Sequence, residues 1–223
     1  NLSLVIPKGQ AIGVVGETGS GKTTLIDLVL ALLNPNKGQI FIDEVSLDHA
    51  QFKNWQASVG YVAQDIFLID DSIAANIAMG VNPENIDLDR VVECAKIAQL
   101  HEFVISELDA QYDTEVGERG VRLSGGQKQR IGIARALYRN PSVLVFDEAT
   151  SALDNYTETR VIEEIKSNTH GKTLIMIAHR LSTLSQCDQI VVLDDGKICG
   201  LGSYGTLLEE NDIFKRLAAS TNR

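Results

Sequence analysis

Apolar residues follow two distinct rhythms along this chain. Residues 10–15 form an apolar run that ends in the glycine-rich stretch Gly16-Glu17-Thr18-Gly19-Ser20-Gly21, and residues 143–147, 173–178 and 189–193 are further continuous apolar runs. Runs of that length read as strands buried on both faces, as in a parallel sheet covered by helices. Shorter strand candidates are residues 39–43 and 59–63, with the single tryptophan, Trp55, in a segment between them. Helical spacing marks residues 23–33, which stop at Asn34-Pro35, and residues 156–167, with a short helix near Ser182. From Asp65 the rhythm changes, and residues 73–79, 88–100 and 102–108 carry apolar positions at helical spacing with hardly a strand signal among them. The opening, residues 1–5, alternates polar and apolar positions up to Pro7-Lys8-Gly9, which predicts a half-buried strand entered part-way, as if the chain had been cut there. Together these patterns predict one domain, with residues 1–64 and 139–223 as an α/β core and residues 65–138 as a mainly helical subdomain inserted into it.

Bulk properties narrow the function. A chain of 223 residues makes one α/β domain with a modest subdomain, not two full-sized domains. Hydrophobic residues at 44%, charged residues at 22% and a mean hydropathy near zero are the balance of a folded globular protein. A formal net charge of −10 leaves no broad positive field for a polyanionic backbone, so nucleic acid is not an expected partner. A single nucleotide is different, because a few aimed backbone N–H groups and one lysine bind phosphate even on an acidic protein. Cys94, Cys187 and Cys199 match neither a zinc site nor a paired framework, which fits a reducing cytosol. The longest apolar stretches, residues 25–33 with Asp27 inside and residues 174–178, fall short of the roughly 20 residues that span a bilayer, so neither a membrane segment nor a signal peptide is expected.

Three stretches carry candidate chemistry. Gly16-Glu17-Thr18-Gly19-Ser20-Gly21-Lys22-Thr23 fits the phosphate-loop pattern G-x-x-x-x-G-K-[ST] between a strand and a helix. Its glycines let backbone N–H groups turn toward phosphate, Lys22 reaches the β- and γ-phosphates, the Thr23 hydroxyl suits Mg²⁺, and the following helix offers its N-terminus to the anion. Residues 143–147 end in Asp147, followed by Glu148, and successive strand residues point to opposite sides, so one carboxylate suits a metal shell and the other a water. Taken alone, these acids are equally well read as a strand end in solvent; beside a phosphate loop they are the expected partners of Mg²⁺ and of the attacking water. Leu123-Ser124-Gly125-Gly126-Gln127 precedes the helical run 128–138, which holds Arg130 and Arg135, and is a second potential anion site; by itself it reads as an N-capped helix after a tight turn.

Gly16 to Thr23, Gln64, Leu123 to Gln127, Phe146 to Glu148, Ser151-Ala152-Leu153-Asp154 and His179 stand in the order and spacing of ABC-transporter ATPases. They resemble that family's Walker A, Q-loop, signature, Walker B, D-loop and H-loop, over essentially the whole chain. The resemblance implies a P-loop NTPase (RecA-like) α/β core with a mainly parallel sheet, a small antiparallel β part truncated at the N-terminus, and an inserted helical subdomain carrying the signature. It also implies a head-to-tail dimer, most simply of two identical domains, that sandwiches two ATP molecules with Mg²⁺. Carried onto this sequence, it sets ATP against Gly16, Glu17, Thr18, Gly19, Ser20, Gly21, Lys22, Thr23 and Thr24, and the metal against Thr23, Gln64 and Asp147. Glu148 would polarise the water with Gln64 and His179 near the γ-phosphate, while Ser124, Gly125, Gly126, Gln127 and Asp154 would reach the site from the partner chain.

Two further segments resemble the exporter branch. Thr114-Glu115-Val116-Gly117-Glu118-Arg119-Gly120, just ahead of the signature, is similar to the exporter segment that faces the transmembrane domains, and residues 65–77 are similar to the exporter stretch after the Q-loop. The implied partners are a second nucleotide-binding domain and the transmembrane domains of the same transporter, and the implied place is the cytoplasmic face of a membrane. An importer subunit is the alternative within the family. DNA-repair ATPases with the same sandwich separate the Q-loop from the signature by a long coiled coil, whereas Gln64 and Ser124 are 60 residues apart without sustained heptads. Translation-associated members usually carry two such domains in a basic chain, unlike this acidic one. The family's adenine-stacking aromatic precedes the residues matching Asn1 to Val5, so a fragment starting at Asn1 is expected to bind ATP more weakly than an extended chain, by about 1–3 kcal/mol on the analogy of base stacking.

Overall fold

The apolar run after Pro7-Lys8-Gly9 forms β1 (Ala11–Val15), every residue of which is buried. The structure, a computed structural model, describes residues 2–168, 171–177 and 181–221. In chain order, β1 leads through the glycine-rich loop into α1 (Lys22–Val29), a hairpin of β2 (Phe41–Ile42) and β3 (Val45–Ser46), α2 (Phe52–Ala57) and β4 (Val59–Val62). Helices α3 (Ile73–Ile77), α4 (Leu88–Ile97), α5 (His101–Glu107) and α6 (Gly125–Tyr138) follow. Then come β5 (Val143–Asp147), α7 (Asn155–Asn168), β6 (Thr173–Ile177), α8 (Leu181–Leu184), β7 (Gln189–Asp194), β8 (Lys197–Gly202), α9 (Tyr204–Glu210) and α10 (Asp212–Thr221). The chain divides into two units, one of Asn1–Gly60, Ser142–Asp147 and Lys172–Arg223, the other of Tyr61–Pro141 and Glu148–Gly171.

In the first unit β1 lies between β6 and β7 and is parallel to both, and β5 runs parallel to β6. Beyond β5, the Ser58 carbonyl accepts from the N–H groups of Ser142 and Val143. Ile12, Val14, Val145, Ile175, Ile177, Val191 and Leu193 form one apolar face that packs on Leu25 and Ile26 of α1 and on Leu30 just after it. Burying each such side chain contributes roughly 1.5–3 kcal/mol, so the sheet face, more than helix propensity, holds α1 in place. Residues 2–6 take no strand pairing, contrary to the expected half-buried strand. Leu4 and Ile6 nevertheless turn toward the core while Val5 is exposed, so the alternation survives without a ladder.

Helix α1 stops at Val29, four residues short of the predicted Leu33. Ala31 takes a left-handed φ of 54°, and Trp55 Nε1 donates to the Val29 carbonyl at 2.6 Å, while Gln56 Nε2 donates to those of Leu30 and Ala31. Side chains of α2 thus collect the carbonyls that further helix would have used, and Leu32 and Leu33 stay exposed. The predicted strand reading stops at Leu193, but β7 turns through Asp195 and Gly196, with φ values of 46° and 69°, into antiparallel β8. An Asp-Gly pair with both φ positive is the hairpin turn whose twist matches its strands. Asn211 then clips the C-terminal helices, donating to the Cys199 carbonyl at 2.9 Å and accepting from the Phe214 N–H at 2.8 Å.

The second unit is mainly helical, and α6 is its spine. Asn76, fully buried, donates to the carbonyls of Ile69 and Ser72 and accepts from the Ile69 N–H. Arg135 of α6 donates from Nε to the Asn76 carbonyl and from Nη1 to that of Phe67, each at 2.8 Å, and burial lowers its guanidinium pKa. The other end of α6 is closed by Arg90, whose Nη2 donates to the Leu137 carbonyl at 2.9 Å and whose Nε donates to that of Tyr138. Helix α4 ends at Ile97, not at Leu100, because Gln99 is left-handed (φ 54°) and gives its carbonyl to Arg130 Nη1 at 2.6 Å. Among the described residues no helix is long and apolar enough to cross a membrane.

Trp55→Phe keeps most of the ring and removes the indole donor to Val29. It is expected to cost about 1 kcal/mol and to lower the thermal midpoint by roughly 2–4 °C, followed by far-ultraviolet circular dichroism.

Candidate functional site

The loop between β1 and α1 is shaped by what its glycines leave out. A Cβ on Gly16 would lie 2.3 Å from the Leu193 carbonyl oxygen and 2.4 Å from Ser20 Oγ, so only glycine lets the chain leave β1 this closely. Gly21 takes a left-handed φ of 101° and supplies the N-cap of α1 with no side chain. No acidic residue stands in the first turn of α1, so its N-terminal donors and partial positive charge face outward unmasked. The Lys22 ammonium curls back over the loop and donates to the carbonyls of Gly16 at 2.8 Å and Glu17 at 2.9 Å. Ser20 is buried and its Oγ makes no hydrogen bond among the described residues. The Ser20 carbonyl accepts from the Gly196 N–H at 3.0 Å, so the β7–β8 turn braces the loop from behind. Glu17, Thr18, Gly19, Thr23 and Thr24 are exposed at its mouth. Asp147 is half-buried where β5 ends, and pairs in register with Ile177 of β6, which in turn stands opposite Val14 of β1. The loop and this carboxylate therefore share the C-terminal edge of the sheet. A polyanion here would meet a lysine, a buried hydroxyl and aimed backbone donors, with a hydroxyl and a carboxylate available to a hard cation.

The second unit carries the other predicted residues. Glu148 takes a left-handed φ of 52°, a conformation that costs a non-glycine residue about 1–2 kcal/mol and turns the chain sharply after β5. The Glu148 carbonyl then accepts from the Ser151 N–H at 3.1 Å. Helix α6 begins three residues before the predicted helical run and is capped by Ser124: its Oγ accepts from the Gln127 N–H, and Gln127 Oε1 accepts from the Ser124 N–H at 2.7 Å. This reciprocal cap leaves the N–H groups of Gly125 and Gly126 for an incoming anion. Asp154 is exposed and accepts from both the N–H and the hydroxyl of Thr157, at 3.0 and 2.7 Å; the hydroxyl chiefly holds its carboxyl below the usual range. Burial lowers the Arg130 guanidinium pKa, opposed by the charges of Asp154 and Glu107. Gln64 is exposed just after β4. His179 lies outside the described residues.

Within this unit the signature turn and residues 151–154 come together. A Cβ on Gly125 would lie 3.3 Å from Ala152 Cβ, and one on Gly126 would lie 3.2 Å from the Ala152 carbonyl oxygen. Sequence reasoning passed over Gln129, the buried α6 residue that bonds to both Ser151 and Ala152. It also passed over the Gly196 turn behind the phosphate loop, although Asp195-Gly196 was a readable hairpin signal.

The family model for ABC transporters matches residues 1–151. An uncharacterised ABC transporter ATP-binding protein of Sinorhizobium fredii is 42% identical over 97% of this chain and 36% of its own length. An ATP-dependent lipid A-core flippase of Saccharophagus degradans is 42% identical over the same shares. A leukotoxin translocation ATP-binding protein of a Pasteurella haemolytica-like species is 45% identical over 95% of this chain and 30% of its own length. Among solved structures, a bacterial Atm1-family ABC exporter with ATP bound superposes over the whole chain with a TM-score of 0.93 and 39% identity, covering 39% of that protein's chain. This chain thus spans about a third of the length of these three curated relatives. With 151 of its 223 residues inside the family model, it belongs to the ABC transporter family, as one of its ATP-binding domains.

Proposed function

We propose that this domain binds Mg²⁺-ATP and hydrolyses it, and that two such domains, closing head to tail, power export by transmembrane domains of the same transporter from the cytoplasmic face of a membrane. The observation that carries the reading is the loop of residues 16–24. Its buried unpartnered Ser20 hydroxyl, its lysine held over the mouth and its acid-free helix N-terminus suit the β- and γ-phosphates and little else. Mg²⁺, when bound, neutralises charge building on the phosphates, and the Thr23 hydroxyl, Asp147 and Gln64 are the residues to hold it. Among the described residues no group of three or more His, Cys, Asp or Glu gathers as a metal cluster, so the ion would depend on these few oxygens with phosphate and water. Glu148 orients the attacking water, with Gln64 and His179 at the γ-phosphate. Residues 65–138 act as the helical subdomain, and residues 1–64 with 139–223 as the core.

A second anion-ready helix end, at Ser124, Gly125 and Gly126, is what favours a dimer. Gln127 fixes its geometry, and with Asp154 it completes the neighbouring domain's site. Cargo is read elsewhere. A relative named as a lipid A-core flippase and one named for leukotoxin translocation are about equally similar to this chain, which supports a motor domain indifferent to what is moved.

In the full-length protein, Glu148→Gln is expected to cut steady-state ATPase by about a hundredfold or more while ATP affinity stays within a few-fold; undiminished turnover would refute the role. Gly16→Ala, which drives a methyl into the Leu193 carbonyl, is expected to weaken ATP binding by at least about tenfold, or about 1.4 kcal/mol, in titration calorimetry.

A further inference from the structure

A glutamine in the interior of an amphipathic helix usually faces water, because its amide must be hydrogen-bonded wherever it is buried. Gln129 of α6 is only 5% exposed, and both ends of its amide are engaged. Nε2 donates to Ser151 Oγ at 3.1 Å, and Oε1 accepts from the backbone N–H of Ala152 at 2.9 Å. The second bond matters more, because it holds main chain. Residues 151–154 also carry local turns: the Ser151 N–H donates to the Glu148 carbonyl and the Leu153 N–H to that of Thr150. Farther along, Thr157 holds the Asp154 carboxylate, and the Thr150 hydroxyl donates to buried Glu158 of α7. Gln129 fixes this loop to α6 through both ends of its amide, beside the close approach of Ala152 to Gly125 and Gly126.

We infer that Gln129 is a positioning residue: its amide fastens residues 151–154 to the first turns of α6, so that the Ser124 turn and the Asp154 loop meet the partner domain as one rigid piece. This rests on the proposed head-to-tail arrangement. In that arrangement both elements serve the neighbouring chain's nucleotide, and a loose loop would arrive out of register with the Ser124 turn. The same bond fixes the far side of the turn that begins at Glu148, so the loop reports the position of α6 to the residue that orients the water. Gln129 is buried and acts through Ala152.

The test uses the full-length protein with Gln129→Met, which keeps length and apolar volume and removes both hydrogen bonds. Amide hydrogen exchange at Ala152 is expected to speed up by about tenfold or more, while the amides of residues 131–137 in α6 keep their protection. ATP affinity and the number of ATP bound are expected to stay unchanged, and turnover per bound ATP to fall by about tenfold. A merely structural loss would lower the number of ATP bound and leave turnover per bound ATP intact, and would overturn the inference. Ser151→Ala, a milder change on an exposed residue, covers the case in which Gln129→Met does not fold: alone it should lower turnover per bound ATP by less than about tenfold with ATP affinity unchanged, and where Gln129→Met folds, adding Ser151→Ala to it should change nothing further. Additive effects of the pair, or unchanged Ala152 exchange in Gln129→Met, would also overturn it. Undiminished ATPase in Glu148→Gln would instead sink the proposed function and leave the exchange result standing, so the two failures are distinguishable.

Discussion

Helix N-termini left without acidic caps are the constraint around which this chain is organised. A triphosphate is held well by water, and a protein competes only where donors are already aimed and cost nothing to rearrange. Helix α1 meets that condition through Gly21, which caps it without a side chain, and α6 meets it through Ser124 and Gln127, which satisfy each other and spare the two glycines between them. Both ends come at a local conformational cost. The first needs a glycine where a methyl would strike Leu193, and the second needs glycines pressed against Ala152. In the proposed function a bound anion recovers those costs.

Aimed donors also explain how a chain with a net charge of −10 handles a polyanion. The long-range field is unfavourable, but it is screened over about 8–10 Å at ordinary ionic strength, whereas the loop acts within hydrogen-bond reach. The sheet supplies the rigidity. Parallel strands buried on both faces fix the C-terminal edge from which Gly16 departs and at which Asp147 ends, and the turn at Gly196 backs the loop through the Ser20 carbonyl. In the helical unit Arg135, Arg90 and Gln129 do the comparable work for α6, each by capturing main-chain groups rather than by packing alone.

What was legible in the sequence was what depends on neighbours in sequence. The buried strands announced themselves as unbroken apolar runs, and the phosphate loop as a fixed spacing of glycines, lysine and threonine. Less legible were features set by distant residues. Helix α1 has the composition to continue to Leu33 but is ended by Trp55 and Gln56, more than twenty positions away. Strand β8, Lys-Ile-Cys-Gly-Leu-Gly, is half-exposed and glycine-rich, so periodicity hid it although the turn before it was readable. Of the site, Glu148 could be proposed from its place after a strand, but its left-handed turn could not. Gln64, Asp154 and His179 have no local chemistry that sets them apart, and only family resemblance singled them out. Gln129 read as one more polar helical residue, since nothing in a linear sequence says that Ala152 will come to meet it.

The proposed head-to-tail closure requires that two incomplete sites complete each other. A cryomicroscopy reconstruction of the full-length Glu148→Gln protein with Mg²⁺-ATP tests this most directly. Two nucleotides are expected, each with its terminal phosphate lying within hydrogen-bond distance of Ser124 Oγ from the opposite protomer. Nucleotides bound wholly within one protomer, with Ser124 of the other remote from phosphate under saturating ATP, would contradict it.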